Sequence, residues 1–171
     1  VMLNVSCEDQ TQADSRIPQL LEVPARHKGL MCAPLIGEVR LDAYLADGQI
    51  EQVVCGGENY AGTRPCDYEW IKGLRASCEN RGVRFCFIET GTLFIKDRRE
   101  YRLPSKRLQS RMAWKSGMVY PGRPLEFLLR HRDGSPVLPD RLHIPHFRAC
   151  CEECGSRMIC NGCAECGKCS S

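Results

Sequence analysis

The chain has no long apolar run and no strong excess of charge. No stretch reaches eighteen apolar residues, and the first twenty residues lack the basic start and apolar stretch of a signal peptide. We therefore expect a soluble, cytoplasmic protein without a membrane partner. The formal net charge is only +3, from 24 basic and 21 acidic side chains, so a polyanionic partner would need a local basic surface.

The length and composition are sufficient for a folded core. Of the 171 residues, 43% are hydrophobic, which suits one domain with a small appendage. Val1 to Ser6 (VMLNVS) already has the pattern of a strand entering a core, with nothing before it to pair with. We therefore expect a fragment or a shortened homologue.

Four short apolar segments predict strands, and two helical patterns lie between them. The strands are VMLNVS (1–6), GLMCAPLI (29–36), IEQVVC (50–55) and VRFCFI (83–88). Ser15 is the predicted N-cap of the first helix, which would place Pro18 in the first turn, where no hydrogen bond is lost. The second helix is predicted between Asp67 as N-cap and Gly82 as its end.

This order of elements predicts an α/β fold, specifically a partial (β/α) barrel of about four parallel strands with helices, with a small open sheet as the alternative. A basic segment and a small Cys-rich metal-binding tail would follow. The predicted domains are a half-barrel over residues 1–95, a basic segment with a hairpin and a Pro-rich linker over 96–145, and the tail over 146–171. The hairpin combines LEFLL (125–129) with the turn at Asp133-Gly134.

Polar residues at strand ends predict a ligand site, because ligands of parallel β/α folds bind at the carboxyl ends of strands. Gly56-Gly57 would let a ligand approach the backbone, and Glu58 could accept a hydrogen bond from an amine or hydroxyl. The alternative is an ordinary tight turn with a solvated carboxylate. The predicted ligand-binding residues are Glu8, Gly56, Gly57, Glu58, Asn59 and Arg64.

A basic stretch from Lys96 to Lys115 contains eight Lys or Arg residues against Asp97 and Glu100, interleaved with Tyr101 and Trp114. Cations neutralise phosphates and aromatic rings stack on bases, which indicates a nucleic-acid partner. A solvated charged face is the other interpretation.

The thirteen cysteines form two groups. Six are scattered among apolar neighbours, and seven lie within the last twenty-two residues. Two copies of C-x-E-C-G favour a structural zinc site formed by Cys151, Cys154, Cys163 and Cys166. The run Cys160, Cys163, Cys166 and Cys169 leaves an iron–sulfur cluster as an alternative, with disulfides as a third.

The first ninety residues resemble a known family through LNVSCEDQ (3–10), ADSRIPQLLEVPA (13–25), APLIGEVRL (33–41), VVCGGENYAGTRP (53–65) and YEWIKGLRASCENRGVRFCFIETG (68–91). This is the phage and bacterial family of unknown function named for phage gene products 37 and 68, which is similar to the radical S-adenosylmethionine barrels. Ala33 and Glu89 depart from its usual acidic residue and lysine. The cysteine motif that would hold a catalytic iron–sulfur cluster has no counterpart here.

The resemblance implies the C-terminal part of a radical S-adenosylmethionine-like barrel, which would use S-adenosylmethionine only as a complete barrel. A completing half-barrel or self-association would then be expected, because an incomplete sheet exposes a strand edge. The alternative function is a non-catalytic zinc-containing interaction or nucleic-acid-binding module. The sequence thus supports two functional classes, an enzyme and a non-catalytic module.

For the tail, we expect the purified protein to contain about one zinc per chain, because structural zinc sites have four protein ligands. Replacing both Cys151 and Cys154 by Ser should abolish that zinc and loosen only residues after Pro145. Elemental analysis and thiol counting test this expectation. A brown protein containing sulfide would instead establish an iron–sulfur cluster.

Overall fold

The computed structural model describes residues 1–124 and 130–137. The chain divides into two compact units, residues 1–125 and 126–171. The strands of the first unit are β1 (Met2–Ser6), β2 (His27–Cys32), β3 (Ile50–Gly56), β4 (Cys66–Asp67), β5 (Arg84–Glu89), β6 (Leu93–Lys96), β7 (Arg99–Arg102) and β8 (Val119–Tyr120). Its helices are α1 (Gln10–Glu22), α2 (Tyr68–Arg81) and α3 (Lys106–Lys115).

The main sheet has the strand order β1-β2-β3-β5-β8. Its first four strands are parallel and follow one another in chain order, whereas β8 pairs with β5 in the antiparallel direction. The predicted α/β class is thus confirmed. Within the described residues the sheet is open and mixed rather than a closed barrel, because β8 occupies part of the edge of β5 where a further parallel strand would pair.

A second sheet contains β4, β6 and β7. Strand β6 pairs with β4 in parallel and with β7 as a hairpin, whose turn places Asp97 and Arg98 at positive φ. Phe94 of β6 joins this sheet to the core, since its ring lies 5.9 Å from that of Tyr68 and 6.1 Å from that of Phe87. The small sheet therefore packs on the core of the unit through Phe94.

Helix α1 begins earlier than the sequence predicted. Asp9 is its N-cap, and the Asp9 carboxylate accepts a hydrogen bond of 2.9 Å from the backbone N–H of Gln12. The prediction of Ser15 as N-cap was wrong, and Pro18 lies inside the helix on its exposed side. The buried face formed by Ala13, Ile17 and Leu20 offsets the backbone hydrogen bond that a proline removes.

Helix α2 has the predicted ends. Asp67 caps it by accepting from the backbone N–H of Glu69 at 2.9 Å, and Gly82 ends it in the left-handed conformation at φ 66°. Strand β2 ends at Cys32 rather than at Ile36 as predicted. Pro34 follows two residues later and has no backbone N–H to donate to the neighbouring strand, which accounts for the shorter strand.

The two faces of the main sheet differ in burial. Leu30, Val53 and Phe85 lie side by side on adjacent strands and are fully buried in the core. One position further along, Met31, Val54 and Cys86 form the neighbouring row, in which Met31 and Cys86 are only half-buried. Successive side chains of a strand point to opposite faces, so one face is packed and the other is partly open.

The described part of the second unit is a short turn over residues 130–137. Arg130 and Pro136 form an isolated antiparallel bridge, and the Asp133 carboxylate accepts from the backbone N–H of Ser135 at 2.9 Å. The turn predicted at Asp133-Gly134 is present, while LEFLL lies outside the described residues. In the described part of the chain, no helix combines the length and apolarity that crossing a membrane requires.

The difference between the two faces predicts the reactivity of the scattered cysteines. Burial raises the pKa of the Cys7 thiol to about 11 and of the Cys66 and Cys78 thiols to about 12, and it also raises the pKa values of Cys32 and Cys55. These five thiols are buried, whereas Cys86 is half-buried. Because the thiolate is the nucleophile, all five should resist alkylation in the folded protein.

We expect iodoacetamide at pH 8 to modify Cys86 first among the six cysteines of the first unit, as followed by peptide mass spectrometry over time. In concentrated urea the six should react at similar rates. Early modification of Cys32 or Cys55 in the folded state would show that the packed face opens readily.

Candidate functional site at the strand ends

The loops that follow the parallel strands meet at one edge of the main sheet. Here the backbone N–H of Ile36 donates to the Glu8 carbonyl at 2.9 Å, and that of Leu35 donates to the Gly56 carbonyl at 2.7 Å. The N–H of Gly57 donates to the Glu89 carbonyl at 2.9 Å. These bonds connect the ends of β1, β2, β3 and β5. We call the polar residues at this edge the strand-end rim; they are Glu8, Asp9, Glu58, Asn59, Arg64 and Glu89.

Glu58 and Arg64 form the best-defined ion pair of the rim. The guanidinium of Arg64 contacts both carboxylate oxygens of Glu58, at 2.5 and 3.0 Å, and the backbone N–H of Arg64 donates to the same carboxylate at 2.8 Å. The hydrogen bonds from the Arg64 side chain and backbone lower the pKa of Glu58 to about 2. Glu58 is therefore a carboxylate at neutral pH.

The end of β1 contributes negative charge close to the same arginine. Glu8 binds Arg16 of α1 through a contact of 2.8 Å, and Arg16 also donates to the Ser6 carbonyl at 2.8 Å. The pKa of the Arg64 guanidinium is raised, first by its hydrogen bond to Glu58 and also by the charges of Asp9 and Glu8. Residues from two strand ends thus share one electrostatic environment.

The end of β5 adds a half-buried carboxylate. The Glu89 side chain is 15% exposed and accepts a hydrogen bond of 2.8 Å from Nδ2 of Asn59, while Nζ of Lys106 lies 3.5 Å from its other oxygen. This arrangement fixes the orientation of the Asn59 amide, because only Nδ2 can donate to Glu89. The Oδ1 atom of Asn59 is then buried without a hydrogen-bond partner in the described part of the chain.

Gly57 and Gly91 lie close to the rim at positions that have no room for a side chain. A Cβ atom on Gly57 would lie 2.2 Å from the Thr90 carbonyl oxygen, and one on Gly91 would lie 2.7 Å from the backbone nitrogen of Glu58. The loops after β3 and β5 therefore touch backbone to backbone. A Cβ on Gly56 would lie 3.1 Å from Cγ of Glu89, a tight contact with a side chain. Ligand binding through Gly56 and Gly57 stays a prediction.

The structure thus brings Glu8, Glu58, Asn59 and Arg64 to one rim, together with partners that sequence reasoning missed. Arg16 and Lys106 project from helices and pair with Glu8 and Glu89. Nothing in the local sequence marks either residue, because their partners are set by how the helices pack.

A separate groove of about 290 Å³ lies between residues 38–42 and α2, and Trp70, Gly73, Ala76, Ser77 and Asn80 line its helical side.

The predicted metal ligands Cys151, Cys154, Cys163 and Cys166 lie outside the described residues. Within residues 1–124 and 130–137, no group of three or more His, Cys, Asp or Glu side chains could hold a metal ion. The zinc site and its iron–sulfur alternative therefore stay predictions from the sequence.

Fold and site together define an α/β protein with an open, mixed sheet and a charged rim at the ends of its parallel strands. The chain belongs to a family that is described only as a protein of unknown function, DUF5131, and that matches residues 1–126. No curated protein and no solved structure matches the chain. The matched region spans the rim and the three helices of the described residues.

The contact between the two loops predicts an unequal effect of two glycine substitutions. Gly57→Ala should destabilise the protein by about 2–3 kcal/mol. The added methyl group would clash with backbone atoms of Thr90 and Gly91, which cannot avoid it by a change of side-chain rotamer. Gly73→Ala is the matched control, since its Cβ would meet nothing within 4 Å and alanine favours the helix by up to about 1 kcal/mol. Urea denaturation followed by circular dichroism measures both. Equal effects of the two changes would disprove the loop contact.

Proposed function

We propose that this chain is the C-terminal part of a radical S-adenosylmethionine-like enzyme of the phage gene-product type, and that its strand-end rim binds a small polar molecule. The observation that carries the binding proposal is the unpartnered Oδ1 of Asn59, buried beside Glu89. A buried acceptor without a hydrogen bond costs about 1–3 kcal/mol. A ligand that donates an N–H or O–H to this atom would remove that cost.

The charges of the rim favour a ligand with a protonated amine and a carboxylate. Glu8, Glu58 and Glu89 each contact a basic side chain, so both signs of charge are present at the rim. The amine of a ligand can donate to Oδ1 of Asn59, and its carboxylate can accept from the exposed guanidinium of Arg64. An amino-acid group carries both functions on one carbon.

The barrel assignment has support from the strand order. In the first four strands of the main sheet, the order in space follows the order in the chain, as in a (β/α) barrel, and the ligand site of such a fold lies at the carboxyl ends. Strand β1 has one neighbour among the described strands, which leaves an edge for a completing half-barrel or a second copy. Both partners stay proposals.

S-adenosylmethionine has an amino-acid group of the required kind. Its radical cleavage needs an iron–sulfur cluster, and the side chains of the described residues do not fit one. We therefore propose ligand binding and assign no radical step to this chain. The second candidate function is a zinc-containing interaction module, which depends on the cysteine tail. A nucleic-acid-binding form of that module would depend on the basic helix α3.

The test is a titration of the ¹⁵N-labelled full chain with S-adenosylmethionine, observed by two-dimensional NMR. Because the described sheet supplies only four parallel strands to such a site, we expect millimolar affinity, with the largest shifts at the amides of Glu58, Asn59 and Arg64. L-Methionine should produce the same pattern, and 5′-methylthioadenosine, which lacks the amino-acid group, should not.

A pair of asparagine variants controls this titration. Asn59→Ala removes the free acceptor and should weaken binding about tenfold, as expected for one buried hydrogen bond. Asn80→Ala changes an exposed asparagine of α2 and should leave the affinity unchanged. Shifts spread over the whole chain, or equal binding by both variants, would refute the rim as the binding site.

A further inference from the structure

Helix α3 presents a basic face with an exposed tryptophan. Arg107, Arg111, Trp114 and Lys115 are all exposed, and the Trp114 residue is 68% accessible to solvent. These four residues are called the α3 surface. The helix contains four basic residues and no acidic one (KRLQSRMAWK). An exposed indole ring offers a large apolar area to a partner, because aromatic side chains bury large areas at interfaces.

The helical spacing separates the cations of α3 into two groups. Gln109 and Ala113 form the buried side of the helix. At about 100° per residue, Lys106 lies next to this side, in agreement with its contact to Glu89 at the rim. Arg107, Arg111 and Lys115 follow at intervals of four residues on the opposite side. Trp114 lies at nearly the same angle as Arg107, about two turns further along the helix axis. The α3 surface is therefore separate from the strand-end rim.

Hydrogen bonds anchor helix α3, which carries the α3 surface, to the neighbouring hairpin. Gln109 is 2% exposed, and its Nε2 atom donates to the Leu103 carbonyl at 2.6 Å and lies 3.4 Å from the Thr92 hydroxyl oxygen. Ser105 caps the helix by accepting from the backbone N–H of Leu108 at 3.3 Å. These bonds tie α3 to both ends of the β6–β7 hairpin. A rigid surface loses little conformational entropy when it binds a partner.

The hairpin that precedes α3 adds further positive charge. Its basic residues are all exposed; they are Lys96, Arg98, Arg99 and Arg102. Asp97 and Glu100 are the acidic residues of the same segment. The hairpin and the helix therefore form a region of positive potential within a chain whose formal net charge is only +3.

The arrangement of apolar residues favours a nucleic acid over a membrane surface. A helix that lies on a bilayer has one continuous apolar face flanked by cations. On α3 the exposed apolar residues are split, because Trp114 lies about 120° to 160° around the axis from Leu108 and Met112, with the cations between them. Cations next to a single exposed ring suit a phosphate backbone with a base stacked on the ring.

We propose that the α3 surface binds single-stranded nucleic acid. Lys115 and the neighbouring arginines contact the phosphates, and an unpaired base stacks on Trp114. Stacking needs a base whose face is free, so a single strand binds more tightly than a duplex of the same length. This site is independent of the small-molecule rim.

Fluorescence anisotropy of the full chain with a labelled 20-nucleotide oligothymidylate tests the proposal. At low salt we expect a micromolar dissociation constant, which rises with salt concentration. Trp114→Ala should weaken binding about 5- to 100-fold, as expected for one stacked base. Lys115→Gln should lower the slope of log K against log salt by about 0.7, since one phosphate contact is lost. Lys72→Gln, on the exposed side of α2, is the matched control and should change neither quantity.

The intrinsic fluorescence identifies the ring that makes the contact. The chain has two tryptophans, so Trp70→Phe leaves Trp114 as the only indole. In that variant the oligonucleotide should quench the emission, and in Trp114→Phe it should not. Binding to phosphatidylserine vesicles without binding to the oligonucleotide would overturn the proposal in favour of a membrane surface. Equal affinity for duplex DNA, or binding that does not change in Trp114→Ala, would also overturn it.

Discussion

The close contact between the loops after β3 and β5 is the constraint on which the rim depends. Gly57 and Gly91 allow the two backbones to touch, and Gly91 adopts a positive φ of 78° that favours glycine. The contact places the N–H of Gly57 on the Glu89 carbonyl and the N–H of Thr92 on the Glu58 carbonyl. The backbones of Glu58 and Glu89, two of the four acidic residues of the rim, are thereby fixed by hydrogen bonds before any side chain contributes.

The same contact links the rim to the basic region. Thr92 begins the segment that leads into β6, and its carbonyl accepts from the N–H of Leu103 after the β6–β7 hairpin. Gln109 then joins Leu103 and Thr92 to α3. Lys106 of that helix reaches back to Glu89, while Arg111 and Lys115 face away from the core. One short helix therefore supplies charge to two separate surfaces, because its buried side holds it against β5.

Much of the fold followed from local patterns. The apolar segments predicted the four parallel strands, since strands buried on a sheet are rich in apolar residues. Asp67 and Gly82 predicted the ends of α2, because both act through their own backbone neighbours. The start of α1 was missed, since Asp9 and Ser15 are both good caps and Pro18 favoured the later one. The hydrogen bond from Gln12 to the Asp9 carboxylate and the burial of Ala13 distinguish them.

The sequence by itself determined the residue types at the strand ends, and hence that Glu8, Glu58, Asn59 and Arg64 would lie near one another once the strands were parallel. Their partners depended on the tertiary structure. Arg16 and Lys106 lie on helices, and a helical side chain finds its partner only when the helix has packed against the sheet. The free acceptor of Asn59 likewise arises because Glu89, thirty residues away, takes the amide nitrogen. Spacing along the chain carries no information about such contacts, since they depend on which loops the folded backbone brings together.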